Sequence, residues 1–458
     1  MRNVVLALVL GVVVTAGSSS EARAQGFGVY EHGACSMAMA GAAVASPCDD
    51  GSAIFFNPAA LAMQRETVLG IGATLIGPGG DFINDTTGAT YEIADTYQPV
   101  PTGYFAWPLG KNSTLGLGLF APYGLTTEWD APDTFEGRFL AYKASLAAIY
   151  IQPTWSYRFN DRFSIGVGFD FSRTDLELNQ RLDLSVQPVS ASIPGLTFGQ
   201  LGVPPQTDFG DIQIKGHAYQ FGANLGVLMR PSDRFSVGVR YMTKQTVKVD
   251  DGEFTSRQIL TGFRLPIALG PLPAGTPVDA LLAPQFAEGG RLGPQAGKTE
   301  VTLPDQFVVG IAITPNDRFK VLFDYQWVNW SLFDELVIDL ENGLTTVTDE
   351  NYEDTGGLRF GAEYRVGEGT FVRGGYIWHP PAAPDETVTP LLPEGERNEF
   401  TLGLGQRFGN FQFDFAYQRL NQDDRRGRTI PEVNGVVVNN GVYKFRANLY
   451  GAALSWRF

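Results

Sequence analysis

Short turns and long loops alternate strictly between segments in which apolar and polar residues also alternate. In residues 163–171 the odd positions are Phe, Ile, Val, Phe and Phe, and the even positions are Ser, Gly, Gly and Asp. This period of two residues is that of a β-strand with one apolar face. An up-and-down meander puts all short turns at one end and all long loops at the other, as in outer-membrane barrels. The pattern predicts an all-β fold, a 14-stranded antiparallel transmembrane β-barrel.

Six short turns and seven long loops join the fourteen predicted strands. Three of the turns share nearly one sequence and begin at Asn160, Ser232 and Asn316. Asn, Asp and Ser favour tight turns because their side chains hydrogen-bond to the local backbone. The even count returns both termini to the periplasmic side. The predicted strands are residues 67–76, 98–107, 114–119, 147–159, 163–182, 216–229, 235–249, 301–313, 319–330, 358–365, 370–378, 400–408, 411–418 and 443–458.

Both ends of the chain carry export and assembly signals. Residues 1–24 are a predicted signal peptide, with an apolar run after Arg2 and a small-x-small cleavage site that ends at Ala24. The last strand alternates to a terminal Phe458, which resembles the recognition signal of outer-membrane barrels. A soluble β-sandwich that ends in Phe is the weaker alternative. We therefore expect the outer membrane of a Gram-negative bacterium, with its lipid and lipopolysaccharide as surroundings.

Composition excludes several other classes of protein. Only 18% of residues are charged, yet no internal segment approaches the roughly 18 apolar residues that a spanning helix needs. The formal net charge of −15 and the lack of a basic block exclude nucleic acid as a partner. The three histidines, His32, His217 and His379, are far apart and show no metal-ligand spacing. We expect no enzyme activity, no cofactor and no metal site.

The segment before the first strand, residues 25–64, does not alternate and is rich in small residues. It lacks the bulk for its own core, so we expect it to form a hatch that plugs the barrel of residues 65–458. A loose periplasmic extension is the alternative. Cys35 and Cys48 both lie in this segment. In an oxidising compartment the pair can form a disulfide, and two free thiols are the other possibility.

Several motifs resemble the FadL/TodX (OmpP1) family of outer-membrane transporters of long-chain fatty acids and aromatic hydrocarbons. Gly26-Phe27 and the segment that ends in Asn57-Pro58-Ala59 are similar to the family's hatch and its Asn-Pro-Ala motif. The resemblance covers essentially the whole mature chain. Further matches are Tyr123-Gly124-Leu125, Thr127-Glu128-Trp129, Leu303-Pro304-Asp305, the strand end from Trp327 to Trp330, and Phe458.

The resemblance implies a monomeric 14-stranded barrel that moves hydrophobic compounds by passive, ligand-gated diffusion. It also implies an inner pocket near the mature N-terminus and lateral exit beside a kink in the third strand, where Gly116, Gly118 and Pro122 make a kink easy. We expect Gly26, Phe27, Asn57 and Pro58 to form the gate. A simple turn at Asn57-Pro58 is the alternative reading.

The third and fourth long loops, residues 183–215 and 250–300, are unusually apolar for segments that face water. Exposed apolar patches commonly mark a binding surface, so we predict a groove for a hydrophobic ligand between the loops. The loops could instead cap each other as a lid, and both can hold. A general porin or an adhesive barrel is the alternative function. The predicted groove residues are Ile193, Leu196, Phe198, Leu260, Phe263 and Leu265.

Overall fold

The computed structural model describes residues 26–189, 195–427 and 439–458. Fourteen strands form one closed antiparallel barrel, in which each strand pairs with the next and the last pairs with the first from Val68↔Arg457 to Asn84↔Gly441. The strands are β1 Val68–Asn84, β2 Gln98–Leu109, β3 Ser113–Glu128, β4 Lys143–Asn160, β5 Phe163–Asp183, β6 Asp208–Ser232, β7 Phe235–Met242 with Gln245–Gln258, β8 Gln295–Leu303 with Gln306–Asn316, β9 Phe319–Val328, β10 Thr355–Val366, β11 Thr370–His379, β12 Arg397–Phe408, β13 Phe411–Gln422 and β14 Gly441–Arg457.

The two-residue period appears in the strands as alternating exposure. On β13, Phe411, Phe413 and Phe415 are exposed on the outer face, whereas Gln412 and Asp414 are buried in the lumen. Apolar side chains outside and polar side chains inside are the arrangement of a transmembrane barrel. The predicted fold class and strand number are confirmed. No helix in the described parts of the chain is long and apolar enough to cross a membrane.

The predicted strands end too early on the side of the long loops. The third strand was expected over residues 114–119 but spans Ser113–Glu128, and the sixth was expected over 216–229 but spans Asp208–Ser232. These outer ends rise above the apolar band, so they no longer need one apolar face and their period fades. A further hairpin, Glu335–Leu340 with Thr345–Asp349, stands above the barrel in a region read as loop.

Residues 26–64 lie inside the barrel rather than extending loosely from it. They form two short helices, Ala34–Met37 and Ala53–Phe56, and a 3-10 helix, Pro58–Met63, and nearly all of them are buried. Irregular backbone in a lumen needs polar partners from the wall. Asp324 of β9 accepts hydrogen bonds from the amides of Ala43 and Val44 at 2.8 and 3.0 Å. Inward polar side chains of the barrel therefore anchor the hatch.

Cys35 and Cys48 are joined by a disulfide across 13 residues of the hatch, with their Cα atoms 6.4 Å apart. This link ties the first short helix to the segment that leads to the second. The two cysteines and Asp50 make up the one cluster of three possible metal ligands found among the described residues. Sulfurs joined to each other are not thiolates, which are the form that binds metal. The cluster is thus structural in this state.

The signal peptide, residues 1–24, and groove residue Ile193 lie outside the described residues. The signal peptide and the boundaries of the three predicted segments stay predictions.

Candidate functional site

One extra residue forms a bulge in β3. Phe120 pairs with Tyr150 on β4, but Tyr123 pairs with Ala148, so Ala121 and Pro122 together face a single residue of β4. Such a bulge bends its strand and ends regular pairing. Phe120 and Tyr123 are both buried as a result. The bulge lies where the kink is expected, and Pro122 is one of its two residues.

A lateral gap opens above this bulge, between β2 and β3. Their ladder ends at Gly103↔Leu119, and residues 98–102 of β2 pair only with β1. The hatch occupies part of the vacant edge. The amide of Val29 donates to the carbonyl oxygen of Pro122 at 2.9 Å, and the amide of Gly124 donates to that of Phe27 at 2.9 Å. The start of the hatch therefore pairs with β3 where β2 no longer does.

Phe27 lies between two cavities. The inner cavity, of about 100 Å³, is almost wholly apolar and extends upward under the outer loops. The gap cavity, of about 240 Å³, lies at the opening between β2 and β3. Phe27, Leu125, Leu146 and Leu392 line both. The apolar residues that line only the inner cavity include Leu176, Leu178, Ile214, Val249, Val301, Phe333, Leu336 and Ile338. The residues that line only the gap cavity include Gly26, Glu31, Val100, Pro101, Tyr123 and Arg397.

Aromatic contacts hold Phe27 at this boundary. Its ring centroid is 4.7 Å from Trp330, 5.6 Å from Phe333 and 6.3 Å from Tyr123, all edge-on. The preceding Gly26 has a positive φ of 53°, and a Cβ there would be 2.6 Å from the Trp330 ring. Only glycine combines that backbone conformation with so close an approach. Gly26 thus allows Phe27 to reach its position.

The inner cavity is lined by the charged side chains Glu177, Lys215 and Lys298 and, deeper in the protein, by Glu350 and Tyr352. Glu350 lies at its wall with 5% of its surface exposed. Burial raises the pKa of Glu350 to about 8, because its ionised form loses water without gaining a cation. Burial also raises the pKa of Tyr352 well above its ordinary value. At pH 7 both side chains are therefore mainly uncharged, as an apolar ligand requires.

Asn57 and Pro58 dock the hatch against β5 and β6. The Asn57 Nδ2 donates to the carbonyl oxygens of Val44 at 2.7 Å and Val227 at 3.1 Å, and its Oδ1 accepts from the amide of Ala59 at 3.0 Å. Wall glycines make room for the turn. A Cβ on Gly226 would be 2.2 Å from the Asn57 Oδ1, and one on Gly166 would be 2.3 Å from the Pro58 carbonyl carbon.

The predicted groove residues fall into two environments. Phe198 and Leu265 are buried together in one cluster of the outer loops, and Phe263 packs against that cluster. Leu196 is half-buried. Leu260 remains 76% exposed. The loops thus pack against each other as in the lid reading, and the groove stays a prediction.

Sequence reasoning missed the upper lining of the inner cavity. Phe333, Leu336 and Glu350 lie in a region that was predicted as loop, where the sequence shows no repeating pattern. Of the residues nearby, only Trp330 belonged to a recognised motif, the strand end from Trp327 to Trp330. Lumen-facing charged residues of the strands have two different roles. Asp414 does pair with Arg373 at 2.6 Å, but Asp324 binds hatch amides instead.

Comparison with known proteins agrees with this architecture. Residues 15–458 match the family model described as outer membrane protein transport protein (OMPP1/FadL/TodX). The chain is 26% identical over 453 residues to the 47 kDa outer membrane protein of Pasteurella multocida, covering 98% of this chain and 97% of that one. It is 23% identical over 463 residues to a long-chain fatty acid transport protein of Salmonella typhi, covering 97% of each chain.

Solved structures show the same fold. A Pseudomonas aeruginosa FadL homologue superposes with a TM-score of 0.80 at 21% identity, covering 95% of this chain and 100% of that one. The Ralstonia pickettii toluene transporter TbuX gives 0.66 at 21% identity, covering 94% and 99%. The family match and the named relatives confirm the predicted location in the outer membrane. They also confirm the prediction that the protein is a transport protein and not an enzyme. The chain belongs to the OMPP1/FadL/TodX family of outer-membrane transport proteins.

Proposed function

We propose that this protein carries hydrophobic compounds across the outer membrane by passive, ligand-gated diffusion and releases them sideways through the gap between β2 and β3. The observation that carries the proposal is the position of Phe27, which separates an apolar cavity from a cavity at that gap. Among the relatives, one is named a long-chain fatty acid transport protein and one a toluene transporter. Long-chain fatty acids and related hydrocarbons are the proposed substrates.

Capture needs no energy source. Apolar surface gains roughly 25 cal/mol for each Å² removed from water, so a ligand enters the inner cavity spontaneously. In this proposal it first binds the predicted groove between the outer loops, where Leu260 is exposed. Release is the difficult step, because a site that binds well must first be weakened.

The gate is the start of the hatch. A conformational change alters affinity only through contacts that differ between two states. Displacement of Phe27 removes one wall of the inner cavity and so weakens the binding of the ligand there. The same displacement joins the inner cavity to the gap cavity. Gly26 provides the backbone freedom, and Asn57 and Pro58 keep the rest of the hatch docked. Ligand that displaces Phe27 thereby opens its own exit.

We also propose that the protein acts as a monomer surrounded by lipid and lipopolysaccharide. The barrel closes through the pairing of β14 with β1, so it offers no free sheet edge to a second copy along that boundary. Its outer face carries exposed aromatic and aliphatic side chains that suit acyl chains. A general porin, the alternative, needs an open aqueous lumen, which the hatch fills.

Uptake of a radiolabelled long-chain fatty acid in a strain that lacks the gene tests this function. Expression of the protein should restore uptake, while purified protein in planar bilayers should show little small-ion conductance. Porin-like conductance without restored uptake would reject the proposal.

The Phe27→Ala variant tests the gate. We expect a bound apolar fluorescent probe to leave the protein about tenfold faster, equivalent to roughly 1.4 kcal/mol. Phe159→Ala, on the lipid-facing surface and 53% exposed, is the matched control and should release the probe at the parental rate. Equal rates for both variants would contradict a gate at Phe27.

A further inference from the structure

The barrel wall has a second interruption, between β6 and β7. Their ladder runs from Ser232↔Phe235 up to Asn224↔Met242 and resumes at Lys215↔Glu253. Residues 216–222 of β6 have no paired partner on β7, although all residues on both sides of this stretch are described. We call this stretch the seam. It lies on the opposite edge of β6 from its continuous ladder with β5.

A shared kink in β7 and β8 explains the seam. Thr243 and Lys244 interrupt β7 at the same level at which Pro304 and Asp305 interrupt β8. Proline has no amide hydrogen for the ladder. Thr243 ends the lower ladder, since its amide donates to the Ala223 carbonyl oxygen and its hydroxyl accepts from the Ala223 amide, both at 2.9 Å. Above this point β7 and β8 continue as a pair, and β7 rejoins β6 only at Lys215↔Glu253.

Side chains, rather than a backbone ladder, close the seam. Val249 of β7 lies against Gly216 of β6, where a Cβ would be 2.4 Å from the Val249 Cγ1. The side-chain amide nitrogen of Gln245, Nε2, lies against Gly222, where a Cβ would be 2.4 Å from it. The Nε2 atoms of Gln245 and Gln220 are buried without a hydrogen-bond partner. Rotating two side chains costs far less than breaking a ladder of several hydrogen bonds.

The seam separates the inner cavity from the membrane. Gly216, Val249 and Gly252 line that cavity from the inside. On the outside of β6, Tyr219 and Phe221 are 66% and 73% exposed, as expected for the aromatic belt at the outer interface of the bilayer. Outside the barrel, the lower half of the seam is thus flanked by these aromatic side chains, and the upper half, next to the cavity, by the exposed polar side chains His217, Asp251 and Glu253.

We propose that the seam is a second lateral portal, through which an apolar molecule dissolved in the outer leaflet exchanges with the inner cavity. Val249 and Gln245 are its two closing side chains. The portal rests on the proposed function for the class of its ligand, but its location is independent of the gap between β2 and β3. A ligand that has partitioned into the membrane can then reach the cavity without passing through the outer loops.

Chemical labelling tests the opening without requiring transport. Val249→Cys, 2% exposed, is placed in lipid vesicles with a membrane-partitioned pyrene maleimide. Met242→Cys, fully buried on the same strand where the ladder is intact, is the wall control, and Val301→Cys, 5% exposed and lining only the inner cavity, is the control for entry from the cavity. We expect Val249→Cys to react about tenfold faster than both. A rate no faster than that of either control would overturn the portal.

A disulfide across the seam tests its use. A Cβ on Gly216 would lie 3.4 Å from the Val249 Cβ, close to the roughly 3.5–4.5 Å of disulfides. The oxidised pair Gly216→Cys with Val249→Cys should slow exchange of pyrene between protein and vesicle about tenfold, and a reductant should restore it. The pair Val227→Cys with Val239→Cys, opposite each other in the intact ladder, should change nothing.

Unchanged exchange in the fully oxidised seam pair would reject the portal. If the parental protein exchanges no pyrene at all, the proposed function fails, and the labelling rates alone still decide whether the seam opens.

Discussion

Replacing Asn57 with Ala should release the hatch from the barrel wall without unfolding the barrel. The side chain is fully buried and makes three hydrogen bonds, two as a donor to the carbonyl oxygens of Val44 and Val227 and one as an acceptor from the amide of Ala59. The change removes all three at once and leaves their partners in place. The strands themselves lose no ladder hydrogen bond.

The size of the effect follows from these contacts. A helix-capping Asn contributes about 1 kcal/mol, and each of the two further bonds to buried carbonyl groups contributes about 1 kcal/mol. The docked state of the hatch should therefore lose roughly 3 kcal/mol. That loss corresponds to an increase of about 100-fold in the undocked fraction.

Hydrogen exchange with mass spectrometry measures that fraction directly. Hatch peptides of Asn57→Ala should exchange hydrogen about 100-fold faster than those of the parental protein. The exchange rates of strand peptides, and the change in electrophoretic mobility on heating that reports an assembled barrel, should equal those of the parental protein. Asn112→Ala, the same change on an exposed turn residue, should leave all peptides unaltered. Parental exchange throughout the hatch of Asn57→Ala would refute the docking role, and Asn57-Pro58 would then be a simple turn.

Three further outcomes follow from the fold and the site. Because Glu350 has a pKa of about 8 in the folded protein against 4.5 as its ordinary value, folding favours its protonated form, so stability should fall as pH rises from 4.5 to 8. At about 1.36 kcal/mol per pKa unit the loss reaches roughly 5 kcal/mol, and Glu350→Gln should flatten the pH dependence of the thermal midpoint; a parental slope in that variant would contradict the burial argument. Mass spectrometry of protein from the native envelope should find Cys35 and Cys48 bridged, and two free thiols would refute this. Epitope tags after Asp161 and Asp317 should be hidden on intact cells, and surface labelling of either would overturn the orientation of the barrel.

The strands could be predicted because the bilayer and the lumen impose opposite demands on alternate residues. Phe411 and Phe413 face lipid while Gln412 faces the lumen, and no other arrangement suits both sides. The prediction failed where that contrast ends, at the outer ends of β3 and β6. Those ends contact loops and water, which do not require a strict period.

The hatch and the gate differ in how far sequence reasoning reached. The small residues of the hatch and its Asn57-Pro58 turn were visible, because plugging a lumen restricts bulk and a turn restricts residue type. The roles of Asp324 and Glu350 depend on which groups surround them after folding. A single acidic residue in a strand or a loop carries no local signal of such surroundings, so these roles emerge only from the structure.

The wall interruptions also lay beyond local patterns. Pro122 suggested a kink in the third strand, whereas Pro304 lies within the strand predicted as continuous over residues 301–313, and proline alone does not show which neighbouring strand separates. The register across the barrel shows this. At the first break β2 separates from β3, and at the second β6 separates from β7, one strand away from the proline itself.

Deletion of Pro122 tests lateral release most directly. Removing one of the two residues that oppose a single β4 residue should restore a continuous register, straighten β3 and close the gap beside β2. Pro122→Ala keeps the residue count and the bulge, so it is the matched control. We expect uptake of a radiolabelled fatty acid to fall about tenfold in the deletion variant and to remain parental in Pro122→Ala, with both barrels assembled. Parental uptake by an assembled deletion variant would contradict release through the gap between β2 and β3.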